Sequence, residues 1–335
     1  MKKTLIALAL VSLPVAASAE VILYGAVKAG VEYQSNSERA ASGHKEKAFH
    51  IVDYGTRIGL KGSEDLGNGL KAIWQIETKA NVGGGEEKGF GTRDSFIGLE
   101  GGFGTVRAGF VSSPLKHAVD AQDNWEYSDE VLGLGRYTRF GARRTSINYT
   151  SPNWGGFELM AQYAPGNNVY GGNRSDKVPV YGLGLGYSNS GFFARYAVDY
   201  YTVRADKDAH VHNLSGGYDA NNLYVALGLQ YAKNNDGSLT AVNYGHENTR
   251  EVQLSGAYTF GAVTPKLTAA YGKSSSSNTN AHSGARYTQV IAGADYAFSR
   301  RTTGLVSLGW LRDKAGTGAK NVNSWSVGTG VVHKF

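Results

Sequence analysis

Charged side chains of opposite sign are concentrated in two different parts of the chain. Basic residues of the first third alternate with apolar residues along short segments and therefore share one face of each segment. These basic residues are Lys28, Arg57, Lys61, Lys71, Lys79, Arg93 and Arg107. A longer stretch from Ser112 to Ala142 holds the acidic residues Asp120, Asp123, Glu126, Asp129 and Glu130, with Lys116 and Arg136 near its ends. If the two groups face each other across a water-filled path, they set a preference for ions of one sign.

A simpler interpretation of these charges is that they are solvated or pair with one another. Other patterns that could carry chemistry are weak. Gly272-Lys273-Ser274 resembles the end of a phosphate-binding loop, but Leu267 stands where its first glycine belongs. His210 and His212 are followed by no third metal ligand. The chain has no cysteine, which excludes disulfides, thiol catalysis and zinc–thiolate sites.

No nucleophile, base and orienting group can be assembled from the sequence. We therefore predict no enzymatic activity, no catalytic or metal-ligating residue and no cofactor.

The amino-terminal residues have the three parts of a secretion signal. Two lysines precede an apolar region from Leu5 to Val15, and Ala17-Ser18-Ala19 forms a small-residue cleavage site. We predict that residues 1–19 are removed and that residues 20–335 form one domain. The apolar region is shorter than the roughly 18 residues that a spanning helix requires, and no later stretch reaches that length.

Period-two alternation continues from Val21 to Phe335 without a domain boundary. Roughly sixteen segments place apolar side chains on one face and polar or small side chains on the other, as in a transmembrane barrel with a lipid side and a lumen side. In the second segment this pattern places Val52, Tyr54, Ile58 and Leu60 outward. Short and long breaks alternate, and an even strand count puts both termini at the short-turn, periplasmic side.

The final segment alternates from Trp325 to the terminal Phe335. An amphipathic strand that ends on an aromatic residue is the pattern favoured by the outer-membrane assembly machinery, so we interpret Phe335 as an assembly signal. The alternative is an ordinary edge strand. Composition supports the barrel, because 46 glycines, 21 tyrosines and a mean hydropathy of −0.32 describe a chain too polar for a helical membrane protein but rich in aromatic residues.

Several runs of residues together match a known family. They are Gly67-Asn68-Gly69-Leu70-Lys71-Ala72-Ile73-Trp74-Gln75, Arg93-Asp94-Ser95-Phe96-Ile97-Gly98-Leu99, Gly101-Gly102-Phe103-Gly104-Thr105-Val106 and the ending His333-Lys334-Phe335. In this order they resemble the β-proteobacterial trimeric general porins, and most closely the neisserial major outer-membrane porins.

The resemblance implies an all-β transmembrane antiparallel barrel of sixteen strands, assembled as a homotrimer, with the third long loop from Ser112 to Ala142 folded into the lumen. It implies passive diffusion of ions and small hydrophilic solutes across the cell outer membrane. The implied partners are outer-membrane lipid, lipopolysaccharide and solutes in transit, and not nucleic acid. Family members often carry arginine after the glycine that corresponds to Gly109, whereas this chain has Phe110, so we expect a weaker basic wall and only a slight preference for anions.

Two other functions remain open from the sequence. One is a membrane-embedded hydrolase with a serine and a histidine at the edge of the lumen. The other is an adhesive barrel whose surface loops bind host molecules, which would have a lumen plugged by side chains. Many inward positions hold glycine or serine instead, so the sequence favours the channel.

Overall fold

The structure is a computed structural model that describes residues 20–36, 46–84, 89–127, 129–166, 178–202, 209–234, 248–275, 285–314 and 321–335. The predicted signal peptide, residues 1–19, lies outside the described residues. Across the described ranges, no helix is both long enough and apolar enough to cross a membrane.

Seventeen antiparallel strands form a single sheet in the described part of the chain. They are β1 (Glu20–Asn36), β2 (Glu46–Asp53), β3 (Arg57–Gly67), β4 (Leu70–Lys79), β5 (Ser95–Gly101), β6 (Gly104–Ser112), β7 (Arg143–Thr150), β8 (Phe157–Ala164), β9 (Val180–Asn189), β10 (Phe192–Tyr201), β11 (Ala209–Ala220), β12 (Leu223–Asn234), β13 (Asn248–Tyr258), β14 (Val263–Ser275), β15 (Arg286–Ala297), β16 (Thr302–Lys314) and β17 (Val322–Lys334). Each strand pairs with the next along the chain, apart from β2 and β3, which both pair with β1.

The sheet closes because β1 also pairs with β17. The strands β2 and β3 lie end to end against β1 and act as one broken strand, so the described barrel has sixteen strands. The prediction of an all-β antiparallel barrel is confirmed. Closure gives every strand two neighbours and removes the exposed sheet edge that lipid could not satisfy.

Exposed apolar side chains alternate with buried polar or small ones along the strands. On β12 Leu227 is 47% exposed and Ala226 is fully buried, and on β14 Leu267 is 57% exposed and Thr268 only 1%. A water-soluble sheet has the opposite arrangement. The apolar outside and polar inside of this barrel match a lipid-facing wall around a polar lumen.

Strand β1 and the last residue of the chain meet at the short-turn rim of the barrel. The Phe335 N–H donates to the Gly25 carbonyl at 3.2 Å, and the Gly25 N–H donates to the Phe335 carbonyl at 3.1 Å. The last residue is therefore part of the closed sheet. The periplasmic location of this rim and the role of Phe335 as an assembly signal stay predictions.

The broken second strand changes the face that its side chains occupy. The Asp53 carboxylate accepts hydrogen bonds from the N–H groups of Gly55 at 2.7 Å and Thr56 at 2.8 Å. Gly55 has a φ of +93°, which glycine adopts without the strain of a Cβ. Residues 54–56, which connect β2 and β3, shift the period-two alternation of β3 relative to that of β2.

As a result, Tyr54 is buried and its ring lies 4.8 Å from that of Tyr127. Val52 packs against the same buried cluster, whereas Ile51 is 81% exposed. The prediction that Val52 and Tyr54 face outward was therefore wrong. The outward assignment of Ile58 and Leu60, which follow the break, agrees with their exposure.

A charge placed on the outward face should destabilise the barrel. We predict that Leu227→Arg lowers the free energy of unfolding in lipid vesicles by about 2–4 kcal/mol, the cost of a cation near the bilayer midplane. Urea titration of the reconstituted protein measures this change. Leu227→Phe is the matched control and should stay close to the parent, whereas equal stability of the arginine and phenylalanine variants would contradict the assigned face.

Candidate functional site

The connection between β6 and β7, residues 113–142, carries two short helices in its described part: α1 (Pro114–Asp120) and α2 (Gly135–Thr138). The Ser113 side chain caps α1 by accepting a hydrogen bond from the Lys116 N–H at 3.1 Å. Pro114 occupies the first turn, where no N–H partner is needed. The 113–142 segment thus starts with a sequence-encoded helix immediately after β6.

The 113–142 segment contacts the inward face of the barrel. Its described hydrogen bonds and ion pairs reach β1 and every strand from β11 to β17. The strand residues that it meets alternate with exposed apolar residues, so all of them lie on the polar face. A segment that touches this face on eight strands of a closed barrel lies inside the barrel.

A buried cluster of amide and hydroxyl groups holds the middle of the segment. The Gln122 side chain donates to Asn213 Oδ1 at 2.8 Å and accepts from the Tyr137 hydroxyl at 3.0 Å. Gln253 Nε2 also donates to Gln122 Oε1, at 3.2 Å. A Cβ at Gly228 would overlap the Gln122 amide and the Tyr137 hydroxyl, so the close approach requires glycine at that position.

Residues 125–133 of the segment are held by hydrogen bonds to their backbone and by the side chains of Trp125 and Tyr127. The Trp125 indole N–H donates to Thr268 Oγ1 at 2.9 Å. Gln289 Nε2 donates to the carbonyls of Glu130 at 2.9 Å and Gly133 at 2.8 Å, and the Tyr127 hydroxyl donates to a β17 carbonyl. Because buried polar groups are costly when unpaired, these bonds fix the position of the segment.

Two ion pairs attach the end of the segment to the wall. Arg139 binds Glu251 through both guanidinium nitrogens, one at 2.7 Å, and the Tyr287 hydroxyl donates to the same carboxylate at 2.9 Å. Arg136 Nη2 lies 2.8 Å from Asp313 Oδ2. Two parallel N–H···O bonds to one carboxylate give the Arg139 contact a defined geometry.

Three of the five predicted acidic residues pair with basic residues that were also predicted. These pairs are Asp120 with Lys116 (2.8 Å), Glu126 with Lys28, and Glu130 with Arg136 (3.1 Å). The structure thus brings both groups together in the lumen, but mostly as neutral pairs. The simpler interpretation, in which the charges pair with one another, describes these six residues.

The other two predicted acidic residues bind backbone N–H groups of their own segment. Asp123 accepts from Trp125 at 3.0 Å, and Asp129 accepts from Leu132 at 2.6 Å. Burial raises the pKa of Asp123 to about 7, and the nearby carboxylates of Asp120 and Glu126 also raise it. Asp123 therefore carries only part of a negative charge at neutral pH.

The remaining predicted basic residues lie on β3 to β6 and the loop before β5. Arg93 forms an ion pair with Glu77. Lys71 and Lys79 are exposed at opposite ends of β4. Arg107 donates to Asn148 at 2.9 Å and to Thr150 at 2.8 Å, both of them neutral.

Arg57, Lys61 and Arg107 form no ion pair with a carboxylate among the described residues. The Lys61 ammonium lies over the Tyr24 ring, 5.3 Å from its centroid, and the Arg107 guanidinium lies 5.5 Å from the Phe96 centroid. The described hydrogen bonds of the 113–142 segment do not reach β3, β4 or β5. The part of the inner wall that the segment leaves uncovered is therefore positively charged.

Phe110 has no effect on this wall. It shares a face of β6 with Val106 and Ala108, both exposed, and it pairs with Thr145, which is exposed as well. Arg107 lies on the opposite face. The expectation that Phe110 weakens the basic wall was therefore wrong, because the side chain points to the outside.

Sequence analysis did not identify the amides that hold the segment. Gln122, Asn213, Gln253 and Gln289 are each 1% exposed or less. Three of them occupy inward strand positions, where large amides among glycines and serines are the signal that could have revealed them. No three histidine, aspartate or glutamate side chains of the described chain lie close enough together to hold a metal ion.

A model of the Gram-negative porin family matches residues 4–334. The major outer membrane protein P.IB of Neisseria sicca is 43% identical over 367 residues and covers all of both chains. The protein of the same name from Neisseria meningitidis serogroup B is 43% identical over 346 residues, again covering all of both chains.

Solved structures share the fold at lower identity. The anion-selective porin from Comamonas acidovorans has a TM-score of 0.75 and 24% identity, with 95% of this chain and all of that chain covered. Salmonella typhi OmpF, in complex with daunomycin, has a TM-score of 0.66 and 18% identity, with 95% and 98% covered. The predicted family resemblance and the outer-membrane localisation are confirmed: this chain belongs to the Gram-negative porin family.

Proposed function

We propose that this porin forms a water-filled channel for passive diffusion of ions and small hydrophilic solutes, with a weak preference for anions. The observation that carries the preference is the uncovered inner wall, where Arg57, Lys61 and Arg107 have no carboxylate partner among the described residues. The name of the Comamonas relative, an anion-selective porin, agrees with this sign.

The 113–142 segment narrows the path and leaves the basic wall as the main source of fixed charge along it. It fills the side of the lumen lined by β8 to β17, where its first helix packs against β8 to β11, so solutes pass between the segment and the basic wall. The carboxylates of the segment contribute little net charge, since three are paired and Asp123 is partly protonated near neutral pH. Fixed cations on a narrow aqueous path raise the local concentration of anions.

The assembly that we propose is a homotrimer in an outer membrane containing lipopolysaccharide, with the signal removed after residue 19 and the short-turn rim in the periplasm. The most exposed large apolar side chains support a subunit contact. Phe49, Ile51 and Phe90 are 76%, 81% and 89% exposed, and Ile97 on β5 is 67% exposed. These residues lie on or next to β2 and β5, so the contact would use this sector of the barrel.

Membership of the Gram-negative porin family supports a transport role rather than an adhesive or enzymatic one. We therefore assign no catalytic residue and no cofactor. In this proposal Phe335 serves as the assembly signal.

Removal of a wall cation should shift ion selectivity. We predict that Arg57→Gln, Lys61→Gln and Arg107→Gln each move the reversal potential in a salt gradient towards cation preference, because a fixed charge within one Debye length, about 8 Å at physiological salt, changes the local ion concentrations. The shift should shrink as salt rises. Lys273→Gln removes the same charge from the outward face and should leave the reversal potential in place; equal shifts for inward and outward variants would refute the proposed wall.

Loss of the Gln122 contacts should loosen the constriction without opening the barrel. In Gln122→Ala the buried groups of Asn213 and Tyr137 lose a partner, at a cost of about 1–3 kcal/mol that falls on the segment. Planar-bilayer recordings should show more frequent current fluctuations, while urea unfolding of the barrel changes little. Gln162→Ala is the control, since Gln162 is a buried amide bonded to Ser146 and not to the segment; a trace as steady as the parent's would argue against this role of Gln122.

Selectivity should also depend on pH through Asp123. Because its pKa is raised to about 7, Asp123 is mostly charged above that pH and loses its negative charge as the pH falls through it. We predict a shift towards anion preference between about pH 8 and pH 6. Reversal potentials of Asp123→Asn should lack this component, and an identical pH profile in the variant would show that another group titrates.

A further inference from the structure

A row of cations crosses four neighbouring strands in direct register. Arg250 on β13 lies opposite Lys273 on β14, Lys273 lies opposite Arg286 on β15, and Arg286 lies opposite Lys314 on β16. Side chains at such positions have Cβ atoms about 4.5–5.5 Å apart, and like charges directly opposite each other destabilise a sheet. Repulsion between these four cations therefore destabilises the sheet when no anion is bound to them.

The row is on the outside of the barrel. Along β13 and β14 the exposed positions are those that share a face with Leu254 and Leu267, and Arg250 and Lys273 belong to these faces. The opposite faces hold Glu251, which binds Arg139 of the 113–142 segment. The cations therefore do not line the channel.

The depth of the row corresponds to lipid headgroups. On β14 the outward residues run from Lys273 at the loop end through Tyr271 to Ala269 and Leu267. On β16 Arg312 precedes Trp310 and Leu308 in the same direction. An aromatic band marks the boundary between acyl chains and headgroups, and the cations lie just beyond it on the side of the long loops.

The protein supplies no counter-charge to this row in its described part. Arg250, Lys273, Arg286 and Lys314 form no ion pair among the described residues, and Asp313 points inward to Arg136. The three loops that adjoin these strands, residues 235–247, 276–285 and 315–321, contain only two acidic residues, Asp236 and Glu247. Two carboxylates do not neutralise four cations, so an external anion is needed to offset the rest of the repulsion.

We propose that the outward face of β13 to β16, at the loop end, binds the phosphate groups of an outer-leaflet glycolipid. The four register cations, with Arg312 beside them, match a headgroup that carries at least two phosphates, while the Tyr271 and Trp310 side chains lie against the start of its acyl chains. The inference rests on the proposed orientation, in which the loop end faces outward. Arginine and lysine both bind phosphate strongly, and arginine does so through two parallel hydrogen bonds.

The test compares lipid binding by the folded full-length protein and by Lys273→Gln/Arg286→Gln. The probe is lipid A with two phosphates, and bound lipid is counted by native mass spectrometry after titration. The double variant should bind about 30-fold more weakly, since each cation near an anionic lipid surface contributes about fivefold. Arg300→Gln/Arg301→Gln removes the same charge from the exposed short-turn rim and should bind like the parent.

Three further measurements test whether binding depends on charge rather than on side-chain shape, and whether the bound species is the lipid rather than free phosphate. Dephosphorylated lipid A should bind the parent as weakly as lipid A binds the double variant. The charge-preserving Lys273→Arg/Arg286→Lys should keep its affinity, and millimolar inorganic phosphate should not displace the lipid. Equal binding of lipid A by the parent and the double variant, or equal binding of both lipid forms, overturns the inference, as does displacement of the lipid by inorganic phosphate.

The same preparations are recorded in planar bilayers. A parent protein that conducts but does not retain lipid A overturns only the lipid site. A parent that retains lipid A and never conducts overturns the proposed channel instead. The double variant should conduct with unchanged selectivity, because its lost charges lie outside the lumen.

Discussion

Closure of the sheet is the constraint on which the rest of the structure depends. Lipid offers no hydrogen-bond partner to a backbone N–H or C=O, so each strand must pair on both sides. The strand β1 meets this requirement through β17 on one side and through β2 and β3 on the other. Once the barrel is closed, the alternation along each strand determines which side chains face the lumen. A local irregularity, such as the one at Gly55, exchanges the inward and outward faces of the residues on one side of it.

The closed lumen then behaves as a protein interior on one side and as a solvent path on the other. Where the 113–142 segment packs against the wall, side-chain amides of the segment and of the strands form hydrogen bonds with one another. The segment approaches the strand backbone closely at Gly228, Gly309 and Gly328, which have no Cβ. The Gln122 cluster is satisfied by partners from several strands. The segment is therefore held by directional bonds over much of its length, which suits a constriction of fixed width.

Closure of the barrel and alternation along its strands also determine which charged side chains meet. Basic and acidic residues that are separated in sequence become ion pairs across the lumen, as Lys28 and Glu126 do. What remains is a small excess of cations on the uncovered inner wall and a row of cations on the outer rim. The inner excess acts on solutes in transit, whereas the outer row faces the membrane, so two electrostatic surfaces share one sheet without sharing residues.

Much of the fold could be predicted from the sequence, because period-two alternation and turn residues are local properties of the chain. They predicted the antiparallel barrel and the outward face of residues such as Ile58 and Leu60, and they located the long stretch from Ser112 to Ala142. The sequence also located Arg57, Lys61 and Arg107 on an inward face. The face of Tyr54 was assigned wrongly, since the shift at Gly55 interrupts the alternation without changing residue composition.

The partners of the candidate site were decided only by the tertiary structure. Gln122 meets Asn213, 91 residues away in sequence, and Arg139 meets Glu251 across 112 residues. Which charges are neutralised and which remain free depends on these contacts, and therefore on how the 113–142 segment lies within the closed barrel. Local pattern determines the face of a residue, but the distance between two side chains is set by closure and packing of the whole sheet.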